Sequence, residues 1–119
     1  MAVKRIVTNI ATKDIERAKA FYGNILGLEI AMDHGWIQTY VGDGQARAQI
    51  SFASEGGSGT DVPDLSIEVD NLEEVYQKAR AADIPIVYGP ADEPWGVRRF
   101  YLRDPFGRLL NILTHADAG

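Results

Sequence analysis

The side chains that could do chemistry in this chain are few and scattered. Cysteine is absent from its 119 residues, which removes a thiolate nucleophile, a thiolate zinc site and any disulfide framework. The two histidines stand apart, His34 in the polar MDHG turn and His115 beyond the last expected strand among frayed residues. Isolated imidazoles of this kind are expected to be solvated. Glu29, Asp33, Asp43 and Asp61 fall near expected strand ends and turns, so no two of them read as a general acid–base pair. The run GGSGT lacks the preceding strand and following helix that a nucleophile elbow or a phosphate loop requires. It reads as a flexible joint.

Charge and length narrow the classes further. Seventeen acidic residues against 12 basic ones leave a net charge of −5, with no basic cluster to displace counterions from phosphates, so no nucleic-acid partner is expected. MAVKRIVTNIATKD has no long apolar core, and no run approaches the roughly 20 apolar residues that span a bilayer. The expectation is a cytoplasmic chain with no membrane partner. Its length suits one domain, although half of it would bury too little surface to be stable alone.

The elements that must position any site are written twice. Residues 6–53 and 65–114 repeat one pattern across SEGGSGTDVP, which divides a single domain, residues 1–119, into module one (1–53), a linker (54–63) and module two (64–119). KRIVTNIA alternates as a strand, and Thr12 or Asp14 can accept hydrogen bonds from the amides that open the next helix. Ile15, Ala18, Phe21, Tyr22, Ile25 and Leu26 form an apolar stripe at helical steps, and Gly27 supplies a left-handed stop. LEIAM, WIQTYVG and ARAQISFA read as strands, with GDGQ as the turn joining the last two. In module two LSIEV alternates, Asp70 and Glu73 suit a capping box, and Leu72, Val75, Tyr76, Ala79 and Ala82 form the helix stripe that ends before Ile84-Pro85. IPIVYG, VRRFYLR and RLLNILT complete it, the last two joined by the Asp104-Pro105-Phe106-Gly107 turn. The class is α+β, with two tandem βαβββ modules.

FYGNILGLEI together with RRFYLRDPFGRLLNIL resembles the glyoxalase/bleomycin-resistance/extradiol-dioxygenase family, also called the vicinal oxygen chelate superfamily. WGVRRFYLRDPFGR is most similar to its metal-free bleomycin-resistance branch. The resemblance implies a U-shaped half-barrel sheet with helices on the convex face, a ligand inside and a homodimer. Enzymes of the family hold a divalent metal at four positions, which fall here on Val7, Ser51, Asp64 and Asn111. Valine offers no donor and only one of the four is a strong ligand, so no metal or other cofactor is expected.

What the resemblance leaves is a pocket. If those four residues point inward, strand parity turns Asn9, Gln49, Ser66, Glu68, Leu109 and Leu113 the same way. Matching to a pocket tyrosine of fosfomycin-resistance relatives selects Tyr101, with Arg99 on its side, and similar matching selects Trp36, Gln38 and Tyr40. Trp95 lies in the loop that closes the groove in bleomycin-resistance relatives, or else pins that loop to the core. Trp36 and Tyr40 can alternatively pack at a dimer interface, and Arg99 can serve to neutralise Glu68 or Asp64. Phe21, Phe52, Phe100 and Leu102 are assigned to the core. The ligand-binding set is therefore Asn9, Trp36, Gln38, Tyr40, Gln49, Ser51, Asp64, Trp95, Arg99, Tyr101 and Asn111. The function expected is metal-independent binding of a small organic ligand in a dimer groove. A divalent-metal-dependent lyase, isomerase or dioxygenase using non-standard ligands is the alternative, and a structural dimer with a vestigial pocket is a third.

Overall fold

The structure, a computed structural model, describes residues 2–42 and 49–115. The expected GDGQ turn, Asp43 within it, and the opening of the ARAQISFA strand lie outside the described residues. The chain divides into two compact units, Val7–Val62 and Met1–Ile6 with Pro63–Gly119.

In the first unit the strands are the later part of β1 (Val3–Ala11), then β2 (Glu29–Asp33), β3 (Ile37–Val41) and β4 (Gln49–Ala53). Their order is β2-β3-β4-β1. β1 runs parallel to β4, while β2–β3 and β3–β4 are antiparallel. A parallel pair needs a long crossover, and the helical segment with β2 and β3 supplies it. Tyr40 and Phe52 are buried with Ala18, and Tyr22, Leu28 and Ile50 pack against them.

The first helix differs from its sequence pattern. Lys19–Ile25 is wound as a π-helix, with the Leu26 N–H donating to Phe21 O five residues back. A π turn holds more residues than an α turn, so side chains spaced for an α stripe no longer share one face. Ala18 stays buried, but Phe21 is 50% exposed, Ile25 70% and Leu26 54%. Phe21 is therefore not a core residue, whereas Phe52, Phe100 and Leu102 are. Thr12 Oγ1 accepts from the Asp14 N–H, closing a local turn ahead of the helix. Gly27, at φ +75°, ends it as the sequence predicts.

The second unit contains β5 (Leu65–Val69), α1 (Leu72–Ala81), β6 (Ile86–Asp92), β7 (Val97–Arg103) and β8 (Leu109–His115). Its strand order is β5-β8-β7-β6, with β5 parallel to β8 and the remaining pairs antiparallel. The repeat read in the sequence is thus a repeat of topology, and the class is α+β. Val69, Leu72, Ala79, Phe100, Leu102 and Ile112 form its core under α1, and full burial of each large side chain contributes about 1.5–3 kcal/mol. Ala82 lies past the end of α1 and is exposed.

Two caps explain the boundaries. The α1 N-cap is Asn71, whose side chain accepts from the Glu74 N–H, one residue later than the expected Asp70 and Glu73. Asp70 Oδ1 instead accepts from the Ala2 N–H at 2.8 Å. Asp104 Oδ1 accepts from the N–H groups of Phe106 and Arg108 at 2.8 and 2.9 Å, which fixes the turn between β7 and β8. Among the described residues no helix is long and apolar enough to cross a membrane.

Candidate functional site

Register places the polar side chains of the second unit on one sheet face. Ser66 lies beside Asn111, which lies beside Tyr101, while Glu68, Leu113 and Arg99 form the next row. The intervening residues Ile67, Phe100, Leu102 and Ile112 pack under α1, so by strand alternation the polar set faces away from it. Asn111 Nδ2 donates to Ser66 Oγ at 3.1 Å. Asn111 Oδ1 is buried and has no hydrogen-bond partner among the described residues.

Arg99, only 2% exposed, is the best-enclosed charge of this face. Its Nε donates to Glu93 Oε2 at 2.6 Å and its Nη1 to the Tyr101 hydroxyl at 2.8 Å. Tyr88 donates its hydroxyl to the same Glu93 oxygen at 2.9 Å. The guanidinium carbon is 4.9 Å from the ring centroids of both Trp95 and Tyr101, and 5.3 Å from that of Tyr88. Aromatic faces of this kind partly replace lost water around a cation. The carboxylate that neutralises Arg99 is thus Glu93, not Glu68 or Asp64, because the side chain reaches across the β6–β7 hairpin rather than across the sheet. Trp95 is held over Arg99 by the same contact.

Asp64 and Glu68 are engaged elsewhere. Asp64 Oδ2 accepts from the Leu109 N–H at 2.9 Å, setting the start of β8. Glu68 is 8% exposed; its Oε1 accepts from Arg5 Nε at 2.6 Å and its Oε2 lies 2.8 Å from His115 Nδ1. His115 is the last residue of β8, paired with Val97, and not a frayed residue beyond the strand. Burial pushes the Glu68 carboxyl up, but the hydrogen bonds from His115 and Arg5 outweigh it and hold the group below its ordinary value. A depressed carboxyl stabilises the fold above its unfolded pKa and loses that contribution as pH falls through the folded one. The melting midpoint should therefore drop on acidification below about pH 4.5, and Glu68→Gln should flatten that drop. An unchanged acid limb in Glu68→Gln, measured by circular dichroism, would contradict this.

In the first unit the face assignment differs from the expectation. Ser51 pairs with Thr39 on β3 and with Asn9 on β1, and Thr39 Oγ1 lies 2.8 Å from Ser51 Oγ. Gln38 and Tyr40 pair with Phe52 and Ile50 instead and belong to the helix-side core, Tyr40 being fully buried. Tyr40 donates its hydroxyl to Gln38 Oε1 at 2.9 Å, and Gln38 Nε2 donates to Asp33 Oδ2 at 3.2 Å and to Glu16 Oε1 at 3.4 Å. Burial first, then the carboxylates of Glu16 and Asp33, push the Tyr40 phenol up. This network satisfies buried polar atoms and ties β3 to the helical segment. Gln38 and Tyr40 are thus structural, and the residue that shares Ser51's face is Thr39. Gln49 lies opposite Val41 on that face. Trp36 precedes β3, half-buried, with its ring centroid 6.2 Å from that of His34.

Thr39, Tyr88, Glu93 and Arg5 were not selected from sequence. Thr39 was recoverable as the cross-strand partner of Ser51. Tyr88 and Glu93 were not, because register shifts between Tyr88 and Ala91 break the alternation of β6.

Of the four positions that the resemblance matches to metal ligands, Val7 and Ser51 fall in the first unit and Asp64 and Asn111 in the second. Together they offer one carboxylate, one hydroxyl and one amide, and the Asp64 carboxylate is committed to the β8 backbone. Among the described residues no three His, Asp or Glu side chains gather as a metal site. The glyoxalase/bleomycin resistance protein/dioxygenase superfamily model matches residues 4–112, and the chain belongs to that family. No curated protein matches it. Among solved structures it is similar to a superfamily member from Vibrio splendidus 12B01, with TM-score 0.66, 21% identity, and 95% of this chain and 99% of that one covered. It is also similar to a single-substitution variant of methylmalonyl-CoA epimerase from Streptomyces coelicolor in complex with 2-nitronate-propionyl-CoA, with TM-score 0.72, 16% identity, and 98% and 97% covered. A protein described as NAD-dependent benzaldehyde dehydrogenase from Legionella pneumophila shares the fold at TM-score 0.72 and 17% identity, with 93% and 99% covered. At these identities the likeness is one of fold.

Proposed function

We propose that the protein binds a small organic molecule without a metal, seated on the Ser66–Tyr101–Asn111 face of the second unit. The observation that carries this reading is Asn111 Oδ1, a buried acceptor with no partner among the described residues. A buried polar atom left unsatisfied costs about 1–3 kcal/mol, which a ligand N–H or O–H would recover. Asn111 stands where the family's enzymes carry a glutamate ligand, and the donor set does not fit a divalent cation, which needs several charged or basic groups. Arg99 is neutralised by Glu93 at 2.6 Å, so the face carries little net charge and suits a neutral, donor-bearing ligand better than a cationic drug. Asn9, Gln49 and Ser51, with Thr39, give the first unit a comparable amide and hydroxyl face. A homodimer belongs to the same reading, since Phe21, Ile25 and Leu26 leave apolar surface exposed.

A thermal-shift screen of neutral aromatic amides and phenols, run with and without EDTA, tests this reading. Hits should survive EDTA, and Asn111→Leu should weaken their binding by about tenfold or more, the loss of one well-placed hydrogen bond, while melting no lower than the parent. Hits abolished by EDTA, or binding untouched in Asn111→Leu, would contradict it.

A further inference from the structure

α1 ends, beside an open cavity, in a way that costs stability. The Asp83 N–H donates to Arg80 O and the Ile84 N–H to Ala79 O, the two bonds of a Schellman motif, whose left-handed residue is usually glycine. Here that residue is Asp83, at φ +59°. Aspartate tolerates this region when its side chain hydrogen-bonds locally, yet among the described residues the Asp83 carboxylate has no hydrogen-bond or ion-pair partner. It is also an anion at the negative end of a helix dipole, which repels it. Two penalties on one exposed side chain point to a use outside the fold.

The cavity has a volume of about 340 Å³ and is lined by Tyr76, Arg80, Asp83, Ile84, Pro85 and Ile86. It lies on the helix side of the second unit, where the Tyr76 ring packs edge-on against Phe100 at 5.4 Å between centroids, and so away from the Asn111 face. Arg80 is turned back by one helical turn. Its Nη1 donates to the Tyr76 hydroxyl at 2.9 Å, and its guanidinium carbon is 5.7 Å from that ring's centroid. Arg80 and Asp83 thus put opposite charges on one cavity without pairing with each other, and Ile84, Pro85 and Ile86 give it an apolar wall. The complementary molecule is small and carries a carboxylate, an ammonium group and an apolar side chain.

We propose that this cavity binds a free α-amino acid with an aliphatic side chain, its carboxylate on Arg80, its ammonium group on Asp83 and its side chain against Ile84, Pro85 and Ile86. The carboxylate takes guanidinium donors that the Tyr76 contact leaves over. The ammonium group supplies the partner that Asp83 lacks and cancels its repulsion by the helix end. Both charges are exposed, so water screens each pair, and a dissociation constant on the order of 1 mM is expected. The site shares no residue with the Asn111 face and stands whether or not that face binds a ligand.

The test titrates L-leucine into the nitrogen-15-labelled full chain by NMR. Alongside run 4-methylpentanoate, which lacks the ammonium group, isopentylamine, which lacks the carboxylate, and glycine, which lacks the side chain. L-Leucine should shift the amides of Asp83 and Ile84 saturably and leave that of Asn111 in place. Each of the other three should bind about fivefold or more weakly. Asp83→Gly should lose leucine affinity by a similar factor while melting about 1–4 °C higher, because the strain and the repulsion both disappear. No saturable shift with L-leucine, equal affinity for any of the three partial analogues, or full leucine affinity in Asp83→Gly would overturn the proposal. So would an Asp83→Gly chain that melts lower than wild type, since the carboxylate would then serve the fold.

Discussion

Glu93→Ala should lower the melting midpoint by roughly 10–20 °C, the largest effect expected of any single substitution on the candidate face. The Arg99 and Glu93 side chains are 3% and 4% exposed and 2.6 Å apart. Deleting one member of such a pair leaves an uncompensated buried charge and costs about 3–5 kcal/mol, and a domain of this size loses roughly 3–5 °C per kcal/mol. Pair replacement distinguishes charge burial from simple loss of packing. Glu93→Leu with Arg99→Met should recover more than half of the loss, because the desolvation of both ions disappears. Recovery should stop short of wild type, since Tyr88 and Tyr101 each lose a hydrogen-bond partner. A double variant no more stable than Glu93→Ala, by thermal and chemical denaturation, would mean that the ion pair is not what holds the β6–β7 hairpin.

Gly89→Ala should be comparably damaging, by about 2–5 kcal/mol, and through the backbone. Gly89 sits at φ +78°, and a Cβ there would lie 2.6 Å from Arg99 O and 3.2 Å from Phe100 Cα. The first feature penalises any L side chain by about 1–2 kcal/mol. The second forces β6 away from the strand that carries Arg99 and Tyr101, adding an overpacking penalty of about 1–3 kcal/mol. Gly27 provides the control: its φ is +75° but nothing lies within 4 Å of an added Cβ, so Gly27→Ala should show the conformational penalty alone. Equal losses in the two variants would contradict the close approach of β6 to β7.

These positions also show how far the sequence could be read. VRRFYLR and the Asp104 turn were legible because alternation, proline and glycine each admit few conformations there, and β7 spans Val97–Arg103 as written. The first helix was not, because a stripe spaced for α periodicity says nothing about a π turn around Gly23, and Phe21, Ile25 and Leu26 turned outward. On β3 the apolar residues Ile37, Tyr40 and Val41 occupy both parities, so pattern alone could not choose between Gln38 and Thr39 as the neighbour of Ser51; the pairing with β4 chose Thr39. Asp70 and Asn71 are both competent caps, and the Ala2 amide took the first of them. The partners of Arg99 and Glu68 were least accessible. Both depend on long side chains reaching Glu93, Arg5 and His115, and one-dimensional spacing does not encode such reach.

We propose that Val7, Ser51, Asp64 and Asn111, matched by resemblance to the family's metal positions, hold no divalent ion in this protein. The most direct test is the metal content of protein purified without chelator, incubated with excess Mn, Fe, Ni and Zn and then desalted, measured by mass spectrometry. Far less than one retained ion per chain is expected, with no change in ligand-induced thermal shift on adding EDTA. One tightly held divalent ion per chain, lost together with ligand binding when Asp64 or Asn111 is replaced, would contradict it.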